Sequence, residues 1–354
     1  VWRPYRDAMV NRRTLITTAG VGALGASLGL AAPASAKPGG NGKGRGRGRG
    51  RDKGQVTTFN VISDIQGDLG DFGVALDDMA KINPGSAGLA IAGDITPRGY
   101  DFEYANVRKR MDKHTSPGTV AWAIGNHEFY VPKYKDPNTL SQDTWPNDVV
   151  EDSLFKSFYN FAGRNSIYEE FSFGGIPVLA IGTERYMRYH DEKLWDEVWM
   201  SDKQFSWLED RLDYWNRRNK PIMIITHHPL PNTVSGTRNK LYLSNYLQSD
   251  RLLDLLGPYK NVFLFSGHTH WDLELSDWYT RRVVPSSGNL SGFNVFNTGA
   301  IETGYTDNGT GGEKSVPGGF NQGLQVEVSD DSVTVRARDF KRKAWMKEIT
   351  VPLA

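Results

Sequence analysis

Five short blocks gather the side chains of this sequence that could hold a metal: Asp64-Ile65-Gln66, Gly93-Asp94, Gly125-Asn126-His127-Glu128, His227-His228-Pro229 and Gly267-His268-Thr269-His270. Carboxylate, amide and imidazole groups suit hard or borderline divalent cations. The chain has no Cys, so thiolate ligands and disulfides are excluded and a metal must be held by nitrogen and oxygen. Five of the seven His lie in these blocks, a concentration that chance does not explain. The other two, His114 and His190, stand in polar surroundings that suit a surface or filler role.

Each block follows a short apolar run that predicts a β-strand: Thr58 to Ile62, Leu89 to Ala92, Val120 to Ile124, Ile222 to Ile225 and Val262 to Phe265. In open α/β sheets ligands bind outside the carboxyl ends of the strands, so five such ends could converge on one pocket. Helices are expected near Asp71 to Lys81, Phe102 to Lys113, Asp202 to Trp215 and Asp250 to Leu256. Gly323 to Val328 and Ser332 to Ala337 flank a Ser-Asp-Asp turn and predict a hairpin closing a sheet. Thr303 to Gly319 has no period and is expected to be a long loop at the site rim.

The five blocks, in this order, resemble the calcineurin-like metallophosphoesterases. The resemblance implies an α/β fold, a four-layer α/β/β/α sandwich of two mixed sheets, over residues 55–354. It also implies two divalent metals. Carried over by motif, Asp94 bridges them, Asp64 and His270 bind the first, and Asn126, His227 and His268 bind the second. His127 is the expected catalytic residue, donating a hydrogen bond or proton to the leaving oxygen or phosphoryl group, with a hydroxide between the metals as nucleophile.

Gln66 departs from the family's usual Asp-x-His. A neutral amide oxygen should weaken the first site and favour manganese, with iron or zinc as alternatives. Asp-x-Gln also resembles the branch of manganese-dependent ADP-ribose/CDP-alcohol diphosphatases, in which Phe-Tyr likewise follows Asn-His-Glu, as with Phe129-Tyr130. A phosphodiesterase or diphosphatase is therefore expected. A phosphomonoesterase and a non-catalytic polyanion-binding wall protein are the alternatives.

Around the ligands, Glu128 could orient His127 or a water, or cap the next segment. His228 could support the metal shell or only its loop. Arg98, four residues after Asp94, could meet a substrate phosphate or sit in a surface turn. Tyr186, Tyr189, Trp195 and Trp199 could stack on a base or sugar, though packing is the plainer expectation.

The total charge of +1 conceals an asymmetry. Residues 1–36 carry +3 and residues 37–54 carry +6, leaving −8 on the other 300 residues. Residues 1–36 resemble a twin-arginine signal peptide: Asn11-Arg12-Arg13-Thr14-Leu15, a Gly/Ala-rich stretch, then Ala34-Ser35-Ala36, with cleavage expected after Ala36 and Met9 an alternative start. The expected product is exported through the twin-arginine pathway, to be secreted, wall-associated or periplasmic, with no transmembrane segment in the mature chain. Lys37 to Lys53 is a Gly/Arg repeat expected to be disordered. It could serve as a spacer, or dock on an anionic wall polymer, nucleic acid or lipid headgroup.

Overall fold

Two six-stranded mixed sheets organise the chain. The structure, a computed structural model, describes residues 56–238 and 241–354. The strands are β1 (Thr57–Ile62), β2 (Leu89–Ala92), β3 (Val120–Ala123), β4 (Glu169–Phe173), β5 (Ile176–Ala180), β6 (Ile222–Thr226), β7 (Val262–Ser266), β8 (Tyr279–Arg282), β9 (Phe293–Asn297), β10 (Gln322–Val328), β11 (Ser332–Asp339) and β12 (Ala344–Pro352). One sheet runs β12-β11-β10-β1-β2-β3 and the other β8-β9-β7-β6-β5-β4.

Every residue of β2, β5, β6, β7 and β9 is buried, as central strands covered on both faces require. Phe59, Val61, Val326 and Val335 of the first sheet meet Val178, Met223, Phe263 and Phe265 of the second in one core between the sheets. Helices α1 (Leu69–Ile82), α2 (Asp101–Met111) and α3 (Glu151–Ala162) contribute to a core with Ile62, Leu89 and Trp122 of the first sheet. Helices α4 (Asp202–Asn216) and α5 (Ser249–Leu256) do the same with Leu179, Ile224 and Leu264 of the second. The layers are thus α/β/β/α, the expected fold class.

Strands β1, β2 and β3 are mutually parallel, as are β5, β6, β7 and β9. Parallel strands within each sheet bring their carboxyl ends to one edge, and both sheets contribute ends to the same place. Asp68 begins α1 by accepting from the Asp71 amide at 2.9 Å, so the chain leaves the first block directly into a helix.

One sequence-based expectation is corrected. Residues 303–319 are not a structureless loop: Tyr305–Asp307 pairs antiparallel with Glu313–Ser315. The expected C-terminal hairpin forms, β10 pairing antiparallel with β11, and the structure extends it: β12 adds to β11 and β10 pairs with β1. No helix among the described residues is long and apolar enough to cross a membrane. The expected signal peptide and Gly/Arg repeat lie outside the described residues.

Candidate metal centre

All seven expected metal ligands come together at the strand ends, and five of them hold unusual backbone. Asp64, Gln66, Asp94, His268 and His270 have φ of 55°, 43°, 51°, 70° and 56°. This left-handed region is costly for residues with a Cβ, and such strain collects at functional sites. The backbone also approaches closely. A Cβ on Gly125 would lie 2.1 Å from Asp94 Oδ1, and one on Gly267 would lie 2.5 Å from Asp64 Oδ2. These glycines are required by contact with the ligands themselves.

Two donor sets share one carboxylate oxygen. In the first, His270 Nε2 lies 3.0 Å from Asp64 Oδ1, while Gln66 Nε2 lies 2.7 Å from Asp94 Oδ2 and 3.1 Å from His270 Nε2. In the second, His227 Nε2 lies 3.2 Å from that same Asp94 Oδ2 and 2.9 Å from Asn126 Oδ1. His268 Nδ1 lies 2.9 Å from Asn126 Oδ1 and 3.2 Å from His227 Nε2. One atom each of Asp64, Asp94 and His227 falls within 4.8 Å of the other two.

The donor chemistry fits cations. His227 Nδ1 donates to the Ala92 carbonyl at 2.9 Å and His270 Nδ1 to the Thr303 carbonyl at 2.7 Å, so each neutral ring turns the Nε2 lone pair inward. Asn126 Nδ2 donates to Tyr130 Oη at 2.6 Å, which turns Oδ1 inward, and Tyr130 donates to Asp196 Oδ2 at 2.8 Å. Acceptor therefore faces acceptor: the His227 lone pair meets an amide oxygen and a carboxylate. A positive charge between them removes the conflict. Burial disfavours charge on His227, yet the Asp94 carboxylate, with Asp64 behind it, pushes its pKa up to about 9. Burial also works against the Asp94 carboxylate, but His227 and His127 hold its pKa well below the usual range.

His127 stands at the mouth of the site. Its side chain is 21% exposed, against 0% for His227 and 2% for His270. Its Nδ1 donates to the Pro97 carbonyl at 2.9 Å and Nε2 lies 3.8 Å from Asp94 Oδ2. Burial lowers its pKa despite Asp94, so the neutral ring is favoured.

Glu128 faces the backbone. It accepts from the amides of Asp94 (3.1 Å), Thr96 (2.9 Å) and Gly125 (2.7 Å) and from the Thr96 hydroxyl (3.1 Å), clamping the second block to the third. Burial and the neighbouring Asp94 push its pKa up to about 8. His228 is buried with its ring 4.5 Å from that of His268, and Nε2 has no partner. Arg98 is engaged by Glu103 and by a distant carbonyl rather than left open to a substrate. Its Nε donates to Glu103 at 2.7 Å, and its guanidinium also bonds the Pro137 carbonyl. Tyr186 is buried and stacked on Phe129, as packing predicts, and Trp199 lies under the Arg185 guanidinium at 3.6 Å.

Several participants carried no signal in the sequence. Ser63 bonds the Asp64 carboxylate and meets Thr298 Oγ1 at 2.7 Å, tying the end of β1 to the end of β9. Glu313, on the short hairpin, accepts from Tyr242 Oη and Trp271 Nε1, both at 2.5 Å. The Tyr242 ring packs 5.2 Å from that of His268, and Tyr305 donates its amide to the His270 carbonyl at 2.8 Å. Glu313→Ala strips an acceptor from two buried donors. It is expected to cost about 2–3 kcal/mol in urea denaturation and to weaken metal binding. An unchanged midpoint and metal affinity would show the clamp to be unimportant.

A family model described as calcineurin-like phosphoesterase matches residues 57–272, and one described as a domain of unknown function matches residues 273–353. Comparison with curated proteins finds no match. Among solved structures, a dimetal phosphatase from Danio rerio is similar, with 15% identity and a TM-score of 0.57, over 84% of this chain and 99% of that one. A purple acid phosphatase from yellow lupin (Lupinus luteus) is similar over 85% of this chain, with 13% identity and a TM-score of 0.56. The chain spans 54% of the lupin enzyme. At these identities the likeness speaks to the fold alone. The family model covers most of the chain and includes all five blocks, whose ligands converge at one sheet edge; the chain belongs to the calcineurin-like phosphoesterases and is a metal-dependent phosphoesterase.

Proposed function

We propose that the chain is an exported phosphodiesterase or diphosphatase working with two divalent cations, manganese ahead of iron or zinc. The observation that carries the two-metal reading is Asp94 Oδ2, which lies 2.7 Å from a group of one donor set and 3.2 Å from a group of the other. Asp64, Gln66, Asp94 and His270 would hold one cation; Asp94, Asn126, His227 and His268 would hold the other. Such a pair supplies electrophilic stabilisation of phosphoryl charge and a source of hydroxide near neutral pH.

The chain's own residues then position and protonate. His127, with its Nδ1 hydrogen committed to Pro97, would face the leaving oxygen through Nε2, which can give up a proton only when the ring is in its protonated form. A half-turn of the Gln66 amide exchanges its nitrogen for its oxygen, and a neutral oxygen favours manganese over zinc. The Asp-x-Gln block and Phe129-Tyr130 support kinship with the ADP-ribose/CDP-alcohol diphosphatase branch. Segments 131–147 and 232–248 could hold a leaving group; Lys133 stands over the Tyr130 ring and Tyr242 beside His268.

Export rests on Asn11-Arg12-Arg13 and Ala34-Ser35-Ala36 in the sequence. Outside the cytoplasm, glycerophosphodiesters, nucleotides, phospholipid headgroups or wall teichoic polymers are fitting substrates. The Gly/Arg repeat would hold the enzyme near an anionic polymer. Loss of residues 37–54 should then weaken retention on an anionic matrix at low salt, and unchanged retention would remove that role.

The test is hydrolysis of bis-(p-nitrophenyl) phosphate by the metal-stripped chain given Mn²⁺, Zn²⁺, Mg²⁺ or Ca²⁺. Turnover is expected with Mn²⁺ first, and Asn126→Ala should lose on the order of a hundredfold or more. A preference for p-nitrophenyl phosphate would replace the diester reading with a monoesterase. No turnover on either substrate with any cation would favour a polyanion-binding protein.

A further inference from the structure

Four buried polar atoms without a hydrogen-bond partner collect on one wall beside the metal centre: Arg188 Nε, Trp145 Nε1, Tyr186 Oη and Asp196 Oδ1. Trp195 joins the residues that carry them, with ring centroids 6.2 Å from Trp145 and 6.4 Å from Tyr186. The Arg188 guanidinium lies 4.6 Å from the Trp195 centroid and 5.4 Å from that of Trp145. Two indoles hold this cation in place without neutralising it.

The nearby carboxylates do not pair with Arg188, and Glu197 accepts from the Trp195 amide at 2.7 Å. Glu151 accepts from the Tyr186 amide at 2.6 Å and pairs with His190 Nε2 at 2.9 Å. Asp196 accepts from Tyr130 Oη and faces Lys133 Nζ at 3.8 Å. Arg188 makes no ion pair among the described residues and is only half-buried, so its charge is uncompensated and partly open. A planar guanidinium in that condition suits a phosphate, which it can meet with two parallel N–H bonds. Trp145 Nε1 is a second donor lacking an acceptor in the same place.

A chain of contacts, through the buried Lys133 and Tyr130, links this cluster to the mouth of the site. Lys133 Nζ lies 4.9 Å from the Trp195 centroid and 3.2 Å from that of Tyr130, whose ring lies 4.4 Å from that of His127. We propose that Arg188, held between Trp145 and Trp195, is an accessory anion subsite that takes a second phosphate of a substrate whose scissile phosphate sits at the metal centre. The proposal rests on the phosphodiesterase reading and adds a substrate class to it: diesters that carry a further phosphate.

Three substrates test it: the dinucleoside monophosphate TpT, its 5′-phosphorylated form pTpT, and bis-(p-nitrophenyl) phosphate. The wild-type chain should prefer pTpT to TpT, and the preference should shrink as salt rises. Arg188→Met should lower kcat/KM for pTpT about tenfold, through KM, and leave the other two within about twofold; Arg188→Lys should restore part of the loss. An equal loss on all three substrates, or a loss on none, overturns the subsite. If the wild-type chain hydrolyses none of the three, the phosphodiesterase reading fails, and the subsite is decided by tryptophan fluorescence of the metal-free chain. There pTpT should bind more tightly than TpT in the wild type and no more tightly in Arg188→Met. Equal binding in the wild type overturns the subsite.

Discussion

Asp94→Asn is expected to reduce phosphodiester turnover by on the order of a thousandfold and to leave less than one equivalent of metal per chain after dialysis. The substitution is nearly isosteric, and its Oδ1 can still accept from the His127 amide, a bond of 2.9 Å in the wild type. What it removes is the negative charge on the oxygen shared by the two donor sets. The other carboxylate of the centre stands farther from the second set: Asp64 Oδ1 is 4.0 Å from His227 Nε2, against 3.2 Å for Asp94 Oδ2. Turnover and metal content, measured by mass spectrometry, should fall together while the circular dichroism stays that of the wild type. Turnover within tenfold of wild type would refute the shared-oxygen centre.

The sites of the five blocks were legible because their order and the apolar runs before them carry both signals at once. Strand ends were placed to within a residue or so, since β2, β6 and β7 are buried on both faces and their sequences are almost wholly apolar. Three of the four edge strands were not legible, β3 being the exception. β4, Glu-Glu-Phe-Ser-Phe, and β8, Tyr-Thr-Arg-Arg, carry charge and are only partly buried, and β12 is exposed along most of its length. Helix α3 was also missed, although its buried Leu154, Phe155, Phe158 and Phe161 follow helical spacing.

Within the site, sequence could name the residues that converge but not what holds them. Glu128 serves three amides of its own and the neighbouring block, a role that depends on how two loops approach. Glu313 lies on a hairpin of Gly, Thr and Asn residues and acts on Tyr242 and Trp271 from far along the chain. The model described as a domain of unknown function begins at residue 273, yet its residues supply β10 to pair with β1, the Thr303 carbonyl that orients His270, and Glu313. No boundary between two cores separates these parts.

Metal removal should give the folded chain a stability that declines with alkaline pH. His227 titrates near 9 when folded and near 6.5 when free, so between these values the folded state binds more protons than the unfolded one. Its stabilisation is complete below pH 6.5 and is lost as pH rises through about 9, an effect of about 3 kcal/mol. Glu128, raised from 4.5 to about 8, acts with the same sign. Asp94 acts oppositely, because its pKa is depressed: its contribution is present above about pH 4 and is lost only in acid, outside this window. In a chain of this size the metal-free Tm should therefore fall by about 5–10 °C between pH 6.5 and 9. Divalent metal reverses the trend, because it takes the place of the His227 proton and binds better as ligands deprotonate. Calorimetric melts with chelator and with excess Mg²⁺ across that range decide the matter. A metal-free Tm that holds or rises would mean that no positive charge is required between Asp94, Asn126 and His227. A parallel fall with metal present would mean that the cation does not occupy that place.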